Sequence, residues 1–391
     1  MKLDAARWRK KRGVARILKA LGSKQGLLRY VGGAVRDELL GLTVSDIDFA
    51  TRLRPEEVIE RLEKAHIKAV PTGIEHGTVT AVADGQPAEI TTLRADVSTD
   101  GRRATVAFTD DWMADASRRD FTINALYADP ESGEVHDYFG GLDDLRARRI
   151  RFIGDPLTRI AEDHLRILRF FRFHARFGAG PPDPQALDAC TARANDLMAL
   201  SRERIADELL KLLALPDPLA TVALMIERGI LRPVLPEIAA ADRLAALIAA
   251  EGRGGFEPDP LRRLAALLPP VPETAETVAA RLKLSNKARK RLGLAADGDL
   301  MANPRALAYW LGTEGAQDRL LLAGKPAEAA ALRDWPVPRL PITGGQLIKR
   351  GVPQGPLVAR ILQTIERDWV AAGFPGGEEF QRIVSEAAGL R

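Results

Sequence analysis

Two textures of hydrophobic patterning divide the chain. Up to about residue 150, apolar residues come in short β-branched or alternating runs, such as Lys68–Pro71, Thr78–Ala83 and Glu89–Leu93. Gly- and Asp-rich turns separate these runs, and helical stretches at Ala34–Leu40 and Pro55–Ala65 lie between them. Period-two alternation with interleaved helices predicts a sheet domain of the α/β or α+β kind. From about Thr158 onward Ala, Leu and Arg recur at three- and four-residue spacing, which predicts helices. Pro and Gly punctuate this half at Gly178–Pro184, Gly252–Pro260, Pro269–Pro272 and Pro336–Gly345, where joints are expected.

Length and composition narrow the class. A chain of 391 residues suggests two to four structural units rather than one core. Hydrophobic residues at 46% and charged residues at 28% describe a folded soluble protein, and no apolar run reaches membrane-spanning length. The single cysteine, Cys190, excludes a disulfide framework and any multi-cysteine zinc site. The histidines, His66, His76, His136, His164 and His174, form no paired metal motif. Met1–Lys24 is basic but lacks an apolar signal core, and it carries one serine and the acidic Asp4. It reads as the first helix of a cytosolic protein.

A net charge of +4 identifies no partner, but the charge is uneven. Between Leu145 and Phe177 nine arginines face three acidic residues, and Arg281–Arg291 holds six Lys or Arg and no acid. Taken singly each is a solvated helix face. Beside a phosphate-handling site, two such clusters point to RNA backbone contact.

The segment Tyr30–Thr51 is the most informative. Tyr30-Val31 runs into Gly32-Gly33, and a helix starts at once. Two glycines let backbone N–H groups approach a ligand, and the helix start favours phosphate. Arg36, one turn in, can add a charged fork. A ligand-free strand-to-helix turn would look the same. Asp46-Ile47-Asp48 adds chemistry. On a strand, residues two apart share a face at roughly 6.6 Å, so both carboxylates meet while Ile47 points inward. Two like charges so placed require a cation, and magnesium suits oxygen ligands beside phosphate. A third acid is needed to hold two metals about 3.5–4 Å apart for in-line displacement. Glu89, opening the strand-like run to Arg94, is the candidate.

Gly-Gly-x-Val-Arg-Asp followed by Asp-x-Asp resembles the nucleotidyltransferase head of the class II tRNA CCA-adding enzymes and bacterial poly(A) polymerases. Further motifs follow in order. Glu89–Arg94 resembles the third-carboxylate strand, Arg118–Leu126 the second signature, and Glu162–Phe173 the base-recognition helix. Ser201–Ile205 through Glu208-Leu209 resembles the neck. The resemblance covers residues 28 to about 215 and implies an α+β fold: a nucleotidyltransferase head over 1–150 with a small mixed sheet, then an all-α neck (151–225), body (226–335) and tail (336–391), the tail touching tRNA.

The implied reaction is attack by an RNA 3′ hydroxyl on the α-phosphorus of CTP or ATP, with pyrophosphate leaving and Mg2+ as cofactor. The implied roles place Asp46 and Asp48 on the metal, with Glu89 completing the shell or taking the proton. Gly33 and Arg36 bind the triphosphate, Arg119 contacts the nucleotide, and Asp163 with Arg166 reads the base. A salt bridge from Arg119 to Asp120 would be a purely structural use of that arginine. Arg166, Arg169 and Arg172 come every third residue in an apolar helix, so they need partners. Asp163 is expected to supply one and a bound nucleotide more. A carboxylate accepts from the exocyclic amino group shared by cytosine and adenine, whereas uracil and guanine present a carbonyl there. The pair would therefore select C and A without a template. Asp96–Trp112 resembles the family's flexible loop.

Thr72–Val79 lacks the basic Gly-Arg-Arg-Phe-like run of the poly(A) polymerases, which favours addition of C, C and A to the tRNA 3′ end. Enzymes adding only A or only two Cs share the head motifs and stay open. So do a non-catalytic RNA-binding relative and transfer to a small molecule or protein. No protein partner is inferable.

Overall fold

A computed structural model describes residues 2–3, 8–100, 103–301 and 303–389. The chain forms two compact units, Met1–Leu200 with Arg228–Pro233, and Ser201–Glu227 with Val234–Arg391.

The first unit is built on a mixed sheet. Its elements run α1 (Arg12–Leu21), β1 (Leu28–Val31), α2 (Gly33–Leu39), β2 (Asp48–Thr51), α3 (Pro55–Lys64), β3 (Lys68–Gly73), β4 (Thr78–Ala83), β5 (Gln86–Thr92), β6 (Arg94–Asp100), β7 (Arg103–Phe108), α4 (Trp112–Ser117), β8 (Leu126–Ala128), β9 (Val135–Asp137), α5 (Gly141–Arg146), α6 (Pro156–Glu162), α7 (Arg166–Phe177) and α8 (Pro184–Ala192). Seven strands pair in the order β3-β4-β5-β2-β1-β8-β9. Only β2 and β5 run parallel, with α3, β3 and β4 lying between them in the chain. Strand β4 alternates as the sequence predicts: Val79, Ala81 and Ala83 are buried, while Thr78, Thr80 and Val82 are partly open. Helices α1 and α3 cover the buried face. Gly13 on α1 lies against the Ala83 carbonyl, too close for any β-carbon, which sets how tightly that helix sits.

The expected opening helix is the shorter α1; Met1 and residues 4–7 lie outside the described residues. Asp96–Trp112 is not a plain loop. Strands β6 and β7 form an antiparallel ribbon, its tip at 101–102 lying outside the described residues. Asp111 then caps α4 by accepting from the Met113 N–H at 2.8 Å. Among the described residues no helix is long and apolar enough to cross a membrane.

The second unit is helical: α9 (Arg202–Leu213), α10 (Leu219–Glu227), α11 (Asp242–Gly254), α12 (Pro260–Leu267), α13 (Pro272–Arg281), α14 (Asn286–Ala296), α15 (Pro304–Leu322), α16 (Pro326–Ala330), α17 (Gly344–Lys349), α18 (Pro356–Ala371) and α19 (Gly377–Ala388). All four joints expected from Pro and Gly contain a break between helices. The cluster at Arg281–Arg291 is not a free cationic stripe. Arg281 pairs with Glu237, Lys283 with Glu203, Arg289 with Glu276, and Arg291 with Asp259, Glu314 and Asp318. The local sequence holds no acid, but helix packing supplies acids from elsewhere.

Candidate active site

The turn from β1 into α2 requires glycine at position 32. Gly32 adopts φ 65° and ψ −120°, and a side chain there would point at the Arg119 guanidinium, 3.4 Å away. Gly33 is the first residue of α2.

The acids come from two neighbouring strands. Asp48 opens β2 and lies in register with Glu89 on β5, so both side chains project from the same face. The Glu89 N–H donates to the Ile47 carbonyl at 3.0 Å, which locks that register one residue further. Asp46 precedes the strand instead of lying on it, so the expected strand is shorter than the sequence suggested. Its exposed carboxylate accepts from the Ser45 hydroxyl at 2.9 Å, while Ile47 between the two acids is buried.

The electrostatics of this corner are unbalanced. Burial pushes the Asp48 carboxyl up to about 6, and the charges of Glu89 and Asp46 push the same way; Arg119 and Arg36 oppose them. A carboxylate held so high is short of positive charge. Among the described residues no three aspartate, glutamate, histidine or cysteine side chains stand together as a group that could hold a metal ion. An open pair of carboxylates in a negative corner suits magnesium, which binds through one or two carboxylates and leaves room for substrate phosphates.

The arginines are more committed than their spacing suggests. Arg36 is buried. Its Nε and Nη2 meet the Asp37 carboxylate at 2.8 and 2.7 Å, its Nη1 donates to the Asn124 side-chain oxygen at 2.5 Å, and its face lies over Phe177 at 4.1 Å. Burial lowers its pKa while Asp37 raises it. The expected fork toward phosphate is occupied by protein groups in this structure. Arg119 donates to the Tyr127 hydroxyl at 3.1 Å and to Asp115 at 3.2 Å. Burial works against its charge, but Tyr127 and Asp115 more than restore it, and its pKa is raised. Asp115 is a salt-bridge partner of both Arg119 and Arg118.

Asp120 turns instead to α7. One of its oxygens accepts from Arg169 Nε at 2.8 Å, and the other from the Asn124 amide at 2.9 Å. Burial alone would raise this carboxyl; Arg169 and Asn124 hold it below the usual range. Asp163 sits in the break between α6 and α7, not on a continuous helix, and its side chain accepts from the Leu165 N–H at 3.1 Å. Arg166 pairs with Glu162 at 2.5 Å and donates to the carbonyls of Arg159 (2.8 Å) and Arg118 (3.0 Å). Glu162 and Asp120 anchor Arg166 and Arg169. Arg172 lies over the Phe173 ring at 4.7 Å. The apolar side of α7 (Ile167, Leu168, Phe170, Phe171, Phe173, Phe177) is buried, as its pattern predicts.

Sequence reasoning therefore missed Asp115, Asn124 and Glu162 as anchors. Asp115 and Glu162 were findable, since each stands three or four residues before its arginine. Asn124 carried no local signal, because its partners are 4 and 88 residues away.

Residues 28–151 match the family model described as the Poly A polymerase head domain, and residues 182–242 match that described as the probable RNA and SrmB-binding site of polymerase A. The chain is 35% identical over 370 residues to the human CCA tRNA nucleotidyltransferase 1, mitochondrial, covering 89% of this chain and 83% of the relative. It is 33% identical to a CCA-adding enzyme of Levilactobacillus brevis, covering 88% and 90% of the two chains. Among solved structures, the Bacillus stearothermophilus CCA-adding enzyme in complex with CTP superposes with a TM-score of 0.73 at 26% identity, covering 96% of this chain and 98% of that one.

Proposed function

Because this chain belongs to the family of CCA-adding tRNA nucleotidyltransferases, we propose that its Asp46–Asp48–Glu89 corner adds C, C and A in turn to the 3′ end of tRNA, without a template. The enzyme is a transferase that takes nucleotides from CTP and ATP. The observation that carries the site assignment is the register pairing Asp48 with Glu89 on adjacent parallel strands, with Asp46 two residues before.

In the step itself, the tRNA 3′ oxygen forms a bond to the α-phosphorus and the bond to the β-phosphate bridging oxygen breaks. Pyrophosphate leaves, and the hydroxyl proton passes to Glu89 or through it to water. As a nucleotidyltransferase the enzyme uses a divalent metal, and we assign magnesium to Asp46 and Asp48. When bound there it supplies Lewis acidity and neutralises charge on the leaving pyrophosphate. The Gly32–Gly33 turn admits the triphosphate close to the backbone. Arg36 and Arg119 add positive charge beside the acids. Asp163 and Arg166 read the base edge, and Arg169 and Arg172 line the same helix. The functional division we propose, head (1–150), neck (151–225), body (226–335) and tail (336–391), is finer than the two compact units. Cys190, buried and unpaired, fits a reducing compartment, and we propose the cytosol; co-purification with mitochondria would overturn that choice.

Three tRNAs test the reading: one ending before CCA, one after C and one after CC, each given CTP, ATP or both. Stepwise completion of all three is expected. Long A tails would indicate poly(A) synthesis, and extension of only one substrate a partial enzyme. Asp48→Asn should cost about 10³-fold or more in turnover, the scale of losing one preorganised charge contact in a transition state. Full-speed extension by this variant would remove the acids from the mechanism. Asp163→Ala should extend tRNA with relaxed rejection of UTP and GTP.

A further inference from the structure

Arg36 and Arg169 belong to different motifs: Arg36 lies on the side proposed for the triphosphate, and Arg169 stands one turn along α7 from Arg166, which is proposed to read the base. One side chain connects them. The Asn124 carbonyl oxygen accepts from Arg36 Nη1 at 2.5 Å, and its amide nitrogen donates to Asp120 Oδ1 at 2.9 Å. Asp120 Oδ2 in turn holds Arg169, at 2.8 Å to Nε and 2.6 Å to Nη2. The circuit closes through rings. Arg169 lies over Phe173 at 5.3 Å, and Arg36 lies over Phe173 at 5.3 Å and Phe177 at 4.1 Å. Both rings are on α7, the helix that carries Arg169. Asn124, Asp120 and Arg36 are all buried.

The chemistry leaves little choice at position 124. An arginine only donates and an ionised aspartate only accepts. The residue between them must offer an acceptor on one side and a donor on the other, within one short side chain. A primary amide does so, and the two partners fix which way round it sits. Aspartate would keep the acceptor for Arg36 but face Asp120 with like charge. Leucine would remove one bond from each neighbour, leaving Arg36 with Asp37 alone and Asp120 with Arg169 and the Phe121 N–H.

We infer that Asn124 is a positioning residue that holds Arg36 and, through Asp120 and Arg169, the helix carrying the base-reading Arg166 in one fixed relation, so that base choice depends on it although it need not touch the base. This rests on the function proposed above. The physical reason is that template-free selection needs the base-reading groups held rigidly with respect to the reacting phosphate. A misplacement of about 1 Å in such a constellation costs on the order of a hundredfold in rate.

The test compares wild type with Asn124→Leu and Asn124→Asp on tRNA ending in CC, with ATP or GTP, and on tRNA ending in C, with CTP or UTP. For Asn124→Leu, kcat/KM for the cognate nucleotides should fall roughly ten- to hundredfold, the scale of unpairing buried polar groups. The fall should be smaller for GTP and UTP, so the selectivity ratio drops. Asn124→Asp spares the bond to Arg36 and breaks the one to Asp120. It should lose selectivity with a smaller rise in KM for ATP and CTP than Asn124→Leu shows. Variants that melt like wild type and keep its ATP-over-GTP and CTP-over-UTP ratios would overturn the inference. Should Asn124→Leu fail to fold, Asn124→Ser, which keeps one of the two bonds in less volume, carries the test by the same ratio. Failure of the wild type to extend any tRNA would sink the proposed function instead, which keeps the two claims distinguishable.

Discussion

Two clusters of acids, one in each unit, hold negative charge in opposite ways. In the first, Asp46 precedes β2, Asp48 opens it and Glu89 lies beside Asp48 on β5, with two arginines nearby that are themselves bound elsewhere, and Asp48 is pushed up to about 6 by burial and by its acidic neighbours. In the second, Glu251 is buried between Arg262 and Arg263, accepting from Nε of each at 2.9 Å. Asp318 likewise sits between Arg262 at 3.3 Å and Arg291 at 2.7 Å. One group of acids is short of positive charge, whereas the other has its cations built in. The contrast teaches that a buried carboxylate is informative only together with its partners. A satisfied one fixes packing and geometry, and an unsatisfied one marks where chemistry waits.

The largest way to break this comparison lies in the second unit. Glu251→Ala leaves Arg262 and Arg263 buried without their shared acid. It should destabilise that unit by about 3–5 kcal/mol, the range for stranding a buried charge. Urea unfolding monitored by helical circular dichroism measures this, and a loss below about 1 kcal/mol would mean that the backbone carbonyls around Arg263 already suffice. Those carbonyls belong to Leu213, Leu215 and Pro216.

Asp48→Asn should do the reverse in the first unit. The folded pKa of Asp48 lies above its ordinary value, so folding favours the protonated form. The wild type therefore loses stability as pH rises from about 4 to 6 and carries the full penalty above that. In chelator at pH 8 the amide variant should be more stable by on the order of 2 kcal/mol, and the gap should close below about pH 4. Magnesium should stabilise the wild type and not the variant. A variant less stable than wild type at pH 8 would show that the corner is not short of positive charge.

The smallest effect belongs to the basic run Arg281–Arg291. With Arg281, Lys283, Arg289 and Arg291 engaged by acids, Lys287 and Lys290 are its exposed cations without such a pair among the described residues. Replacing both with Ala should lower the salt-dependence slope of tRNA binding by at most about two. A larger change would mean that the paired residues release their acids on binding RNA.

Much of this was legible without coordinates. The switch from period-two to helical spacing separated a sheet-bearing part from an all-helical one. The Pro and Gly joints fell between helices, and the buried side of α7 followed from its own spacing. These features depend on neighbours in the chain, which a sequence displays directly. What spacing did not show was which groups hold the arginines. Arg119 bonds Asp115 and Tyr127, and Glu162 and Asp120 hold Arg166 and Arg169 on α7. The basic run Arg281–Arg291 looked free because its acids lie up to 80 residues away.

By itself the sequence determined which groups were available: two acids flanking an isoleucine, a third acid on another strand, a glycine turn, and a helix striped with arginine. Only the tertiary structure decided which of them meet. Parallel pairing across an intervening helix and two strands levels Asp48 with Glu89, and no local pattern encodes that register. The same holds for Asn124, whose amide has meaning only between a cation and an anion brought to it by folding. Chain-local physics fixes element type, but electrostatic balance is a property of side chains brought together from distant parts of the sequence.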